Sequence, residues 1–143
     1  MVLAEKIHLE IVTPEKQLYS GDVDEVTVPS NVGYLGILPG HAPLLGELGI
    51  GEISYKTGER GEFLFCSWGF VEVLPDRVII LAQTAEKASE IDINRAEQAK
   101  VRAEKRLASK DPNTDFVRAQ LAAIRAMSRL DAARRYQHRL THK

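Results

Sequence analysis

The sequence holds one cysteine, Cys66, and no apolar run near the roughly 18 residues a membrane-spanning helix needs. A single thiol excludes an internal disulfide and a cysteine-built metal centre. Its setting, Phe63-Leu64-Phe65-Cys66, reads as a small buried hydrophobe rather than a reactive nucleophile. Histidine is also scarce: His8, His41, His138 and His142 show no metal-ligand spacing, so no metal site is expected. The amino end, Met1-Val2-Leu3-Ala4-Glu5-Lys6, lacks the charged-then-apolar pattern of a signal peptide, and a cytosolic protein is expected. Beyond residue 90 there is no glycine, and the aromatics are Phe116 and Tyr136 alone. So few stacking rings beside basic residues argue against the main alternative, a small nucleic-acid-binding protein with a β-barrel and a basic helical tail. No nucleophile, base and metal set converges, which argues against a free-standing enzyme.

What is present changes character near Ser89. Residues 1–89 carry six Lys/Arg against thirteen Asp/Glu, a net of −7, whereas residues 90–143 carry thirteen against seven, a net of +6. All ten glycines and five of the six prolines fall in the first part, and the second is rich in Ala, Arg, Glu and Gln. Such an asymmetry points to an acidic or phosphorylated partner for the basic half. The expected organisation is two domains, residues 1–87 and 88–143.

The first part reads as an antiparallel β-sandwich or flattened barrel. Ile7, Leu9 and Ile11 alternate with His8, Glu10 and Val12, the period of a strand with one buried face. Further strands are predicted at Val23–Val28, Tyr34–Leu38, Gly51–Lys56, Glu62–Ser67, Phe70–Leu74 and Arg77–Ala82. Turn chemistry separates them, as in Ser20-Gly21-Asp22 and Leu74-Pro75-Asp76-Arg77. Many short strands with no room for helices between them exclude a parallel α/β sheet. Six glycines between Gly33 and Gly51 invite comparison with a phosphate loop, but no Gly-Lys-Ser/Thr follows. They fit sharp corners and close backbone approach instead, and His41 fits a turn or packing role.

The second part reads as an antiparallel α-helical hairpin. No Gly or Pro interrupts Asp92–Lys110, and Ala96, Ala99, Ala103 and Leu107 form one apolar stripe. Asp92 suits the amino-terminal cap, and Asp111-Pro112 marks a break before a second helix from about Asn113 to Tyr136 or a little beyond, with the stripe Ala119, Ala122, Ala126, Leu130 and Ala133. Alanine faces allow close approach but bury little apolar surface, so the hairpin is a candidate moving part. Arg95, Arg102 and Arg106 share one side of the first helix, and Arg118, Arg125 and Arg129 repeat that spacing on the second. Two readings stay open: a solvated face laced with Glu–Arg pairs, or a surface for phosphate or carboxylate.

Two motifs then carry a family resemblance. Pro29-Ser30-Asn31-Val32-Gly33, followed by Gly36-Ile37-Leu38-Pro39-Gly40-His41-Ala42-Pro43-Leu44-Leu45, resembles the signature of the epsilon subunit of bacterial F-type ATP synthase. The order of parts is similar over nearly the whole length. The resemblance implies a non-catalytic central-stalk subunit on the cytoplasmic face of the bacterial membrane, peripheral and without membrane insertion. Its partners would be the gamma subunit, the c-ring and the alpha and beta subunits, with Glu25–Asn31 and His41 near gamma or c. It implies a hairpin that either folds on the sandwich or extends into the catalytic head and blocks ATP hydrolysis. No cofactor is required, but some members bind ATP in the folded hairpin through Ile/Leu-Asp-x-x-Arg-Ala, which Ile91-Asp92-Ile93-Asn94-Arg95-Ala96 matches. The same resemblance carries phosphate-binding roles to Arg125 and Arg129 and an acidic role to Glu86, with Arg102 a less secure addition. Asp92 as a plain helix cap remains the competing account.

Overall fold

The computed structural model describes residues 5–141, so His142 and residues 1–4 lie outside it. Seven strands, β1 (Ile7–Val12), β2 (Gln17–Val23), β3 (Glu25–Ser30), β4 (Gly33–Ile37), β5 (Leu44–Thr57), β6 (Arg60–Leu74) and β7 (Arg77–Lys87), form one sheet in the order β2-β1-β7-β6-β5-β3-β4. The sheet folds over without closing. Tyr19 of β2 and Tyr55 of β5 are not sheet neighbours, yet their rings lie 4.4 Å apart. Between the layers sits a core of Ile7, Leu9, Ile11, Val26, Ile53, Leu64, Val71 and Ile80, all at most 2 % exposed. Cys66 belongs to this core, and burial pushes its thiol up to about 12, as expected of an inert small hydrophobe.

Three expectations need correction. Not every strand pair is antiparallel: β1 runs parallel to β7, because the folding sheet lays the first strand of the chain beside the last. The strand β2 was missing from the sequence reading, since Ser20-Gly21-Asp22 lies inside it rather than in a turn. Gly21 is there because a β-carbon would meet Tyr19 Oη at 2.7 Å. Finally, the segments 62–67 and 70–74 are one strand, β6, kinked at Trp68 and Gly69, whose φ angles are 60° and 130°. The glycine-rich stretch serves packing, as expected: a β-carbon on Gly51 would come within 2.6 Å of Tyr34 Oη and 2.9 Å of Pro29. His41 donates from Nδ1 to the Ala42 carbonyl at 2.7 Å, in keeping with a turn role.

A short 3-10 turn, Ala88–Glu90, leads to helix α1 (Ile93–Leu107) and helix α2 (Phe116–Thr141). Asp92 caps α1, its Oδ1 accepting from the Arg95 amide at 3.1 Å. The second helix starts three residues later than expected and runs to Thr141, a little beyond Tyr136 as expected. Asp115 rather than Pro112 opens it, accepting from the Arg118 amide at 3.0 Å. Ala96 and Ala103 of α1 face Ala119, Ala123, Ala126 and Leu130 of α2, so the small-residue stripes meet, with Ala123 buried where Ala122 was expected.

The hairpin docks mainly through α2. Phe65, Ala88, Ile91, Ala132 and Ala133 form a second apolar cluster between the sheet and the helix, separate from the sandwich core. Phe65 sits in cross-strand register with Glu52 on β5 and Glu86 on β7, so one row of the sheet reads Glu-Phe-Glu beneath α2. Each carboxylate meets an arginine of that helix. Glu86 Oε1 lies 2.7 Å from Arg129 Nε, and Glu52 Oε2 lies 3.3 Å from Arg135 Nε. The Arg129 guanidinium also rests 4.2 Å above the Phe65 ring.

Glu52 is only 8 % exposed, and that burial pushes its carboxyl above the usual carboxylate range; Arg135 opposes the rise and Asp131 adds to it. A carboxylate with a raised value contributes stability that is fully present below its solvent-exposed value and is lost as pH rises through its docked value. Docking should therefore be tighter in acid than at neutral pH as far as Glu52 is concerned. Amide exchange of α2, followed from neutral pH downward, should show this slowing in the wild type. Glu52→Gln should remove that component. An identical pH response in both proteins would disprove the assignment.

Candidate functional site

A cavity of about 420 Å³ opens where the hairpin base meets the sandwich, lined by Glu86, Glu90, Ile91, Asp92, Arg95, Ala96, Ala99, Arg102 and Arg129. Three elements build it. The end of β7 brings Glu86, the first three turns of α1 bring Arg95 and Arg102 on one helical face, and α2 returns antiparallel to place Arg129 opposite them. Of the sequence-predicted residues, Glu86, Ile91, Asp92, Arg95, Ala96, Arg102 and Arg129 meet at this cavity. Arg125 stands one helical turn from Arg129 and is not among its lining residues.

The cavity is electrically divided. Glu86, Glu90 and Asp92 supply carboxylates, and Arg95, Arg102 and Arg129 supply guanidinium groups. Among the described residues, Arg129 alone of the three is ion-paired, with Glu86, and their side chains are 27 % and 36 % exposed. The capping role of Asp92 is thus real, and the same residue also lines the cavity. Sequence reasoning missed Glu90, Ala99 and the Phe65 ring beneath Arg129. A signal for Phe65 was available: the unbroken apolar run 63–66 is what a strand covered on both faces requires. Among the described residues no cluster of His, Cys, Asp and Glu is arranged to hold a metal ion. No described helix is long and apolar enough to cross a membrane.

A sandwich with a two-helix appendage is also what known families report for this chain. The family model for the ATP synthase delta/epsilon chain β-sandwich domain matches residues 6–88, and that for the delta/epsilon long α-helix domain matches residues 89–134. The chain belongs to the ATP synthase delta/epsilon chain family. Within that family it is similar to epsilon chains. It is 50 % identical over 130 residues to the ATP synthase epsilon chain of Halalkalibacterium halodurans, covering 90 % of this chain and 98 % of the relative. It is 49 % identical over 131 residues to that of Syntrophobacter fumaroxidans, covering 92 % and 98 %. Among solved structures, a chain of the Euglena gracilis mitochondrial ATP synthase (OSCP/F1/c-ring) shares the fold with a TM-score of 0.81 at 23 % identity, over 93 % of this chain and 84 % of that one. A chain of the Tetrahymena thermophila mitochondrial ATP synthase central stalk and c-ring aligns with a TM-score of 0.58 at 17 % identity, over 94 % and 98 %. The nucleic-acid alternative finds no support in these matches, and Tyr136 packs in the hairpin seam instead of offering a stacking surface.

Proposed function

We propose that this chain is a non-catalytic rotor subunit at the cytoplasmic face of a bacterial membrane, contacting gamma, the c-ring and the alpha and beta subunits, and that its hairpin restrains ATP hydrolysis under control of ATP. Family membership supports the stalk role. The sandwich also presents apolar surface of the kind subunit contacts use: Val32, Tyr34, Leu38 and Leu45 are each at least 60 % exposed. A separate groove of about 660 Å³ is walled by Val12, Pro14, Trp68, Phe70 and Leu81. The expected neighbours of gamma or c, residues 25–31 and His41, lie on β3, the turn after it and the β4–β5 connection.

The convergence of Arg95, Arg102 and Arg129 on one cavity carries the ATP reading. Phosphate suits the guanidinium side, and the amino and hydroxyl groups of a nucleoside suit the carboxylate side. Each charge-assisted bond to phosphate contributes about 1.5–3 kcal/mol, discounted at Arg129 by the Glu86 pairing it must share or give up. Because the cavity joins α1, α2 and β7, it exists only in the folded hairpin, and a ligand there shifts the population toward that state by its differential affinity. Titration calorimetry of the full chain with ATP should show saturable heat, and Arg95→Ala or Arg129→Ala should weaken binding about tenfold, equivalent to about 1.4 kcal/mol. An absence of heat with the wild-type chain would end the ATP proposal while leaving the stalk role standing.

A further inference from the structure

Two buried side-chain polar atoms among the described residues have no hydrogen-bond partner, Glu52 Oε1 on β5 and Arg139 Nε on α2, and both lie at the seam between that helix and the sheet. Unsatisfied buried groups carry their full desolvation cost. Lifting α2 away returns both to water, so this seam carries its own drive to open. An anchor opposes it. Arg139 donates from Nη1 to Glu62 Oε1 at 3.0 Å and to the Gly61 carbonyl, and its guanidinium lies 5.2 Å from the Tyr136 ring. The same Glu62 Oε1 also accepts from Arg60 Nε at 2.9 Å.

None of these groups lines the arginine cavity, whose α2 contribution is Arg129, nearly three turns earlier. Glu62, Tyr136 and Arg139 instead border a different space of about 500 Å³, which Tyr19, Tyr55 and Lys87 also line. We propose that the carboxyl-terminal turns of α2 form a reversible latch, closed by Arg139 on Glu62 and Gly61 and opposed by buried Glu52, which holds the hairpin on the sandwich independently of any anion in the cavity. The latch stands whether or not ATP is the cavity's ligand. Its main contact joins partly exposed charges, so added salt weakens it.

Hydrogen–deuterium exchange of the full chain without nucleotide tests this. Arg139→Glu and Glu62→Arg should each raise exchange of residues 130–141 about tenfold, and the two combined should restore most of the protection. Glu52→Gln should slow exchange in the same segment, and Arg95→Ala, in the cavity, should leave it at the wild-type rate. Protection of β1 reports that the sandwich stays folded. Should Glu62→Arg disturb β6, Arg139→Glu still decides, since Arg139 belongs to the hairpin. Wild-type exchange in Arg139→Glu, a charge swap no better than its worse single variant, acceleration by Glu52→Gln, or acceleration by Arg95→Ala to the Arg139→Glu level would each overturn the proposal.

Discussion

Gly69→Ala should destabilise the sandwich by on the order of 4 kcal/mol, a large part of the 5–15 kcal/mol that holds a typical domain. A β-carbon at this position would lie 2.0 Å from the Leu81 carbonyl oxygen and 3.0 Å from Ala82 Cα. Both neighbours are backbone of β7, paired along its length with β6, so neither can move without breaking the ladder. The φ angle of 130° adds a second cost, because L side chains rarely adopt it. Trp68, the preceding residue, already holds φ at 60°, so the kink has no slack to absorb more strain. Urea unfolding should show a lower midpoint at unchanged slope, and thermal melting a fall of about 15 °C or more. Gly36→Ala is the control, since a β-carbon there meets nothing within 4 Å and no positive φ is involved. A Gly69→Ala midpoint equal to that of Gly36→Ala would show that the kink relaxes.

The same kink explains part of what sequence could not show. Glycine at a strand kink, Gly69, and glycine beneath an aromatic ring, Gly21, both look like turn glycine when only neighbours in sequence are visible. One split a strand in the reading and the other hid β2. Periodicity succeeded where burial is one-sided. It found β1 and most of the facing alanine stripes, with Ala123 in place of Ala122, Ala133 packed toward the sheet and Leu107 exposed. The arginine stripes were legible as one-sided rows, but their partners were not. Glu86 lies 43 residues from Arg129 and Glu52 lies 83 from Arg135, separations that only the fold closes. Arg95, Arg102 and Arg129 meet at the hairpin base, while Arg106 and Arg118 border a separate hollow at its tip, a division that spacing along one helix cannot reveal.

Phe65→Ala should detach the hairpin while leaving the sandwich folded. The ring is fully buried, and alternation along β6 sends it to the helix side while Leu64 and Cys66 point into the sandwich core. Removing it costs about 3–5 kcal/mol for the lost transfer energy and the cavity, with the contact to Arg129 adding about 1 kcal/mol. What remains of the seam cannot offset that loss. Ala88, Ala132 and Ala133 bury little surface, and Glu52 and Glu86 regain hydration once α2 lifts. Exchange across residues 93–141 should therefore accelerate sharply while β1, β5 and β7 keep their protection. Leu64→Ala, one residue away on the opposite face, should do the reverse, lowering the sandwich midpoint with the hairpin still docked. Loss of both parts together in Phe65→Ala would mean that sandwich and hairpin unfold as one cooperative unit. Detachment alone has a functional consequence, because Glu86 and Arg129 flank the ring and would part with it. The ATP binding proposed for the cavity should then fall with docking, which would tie that proposal to a residue that never lines the cavity.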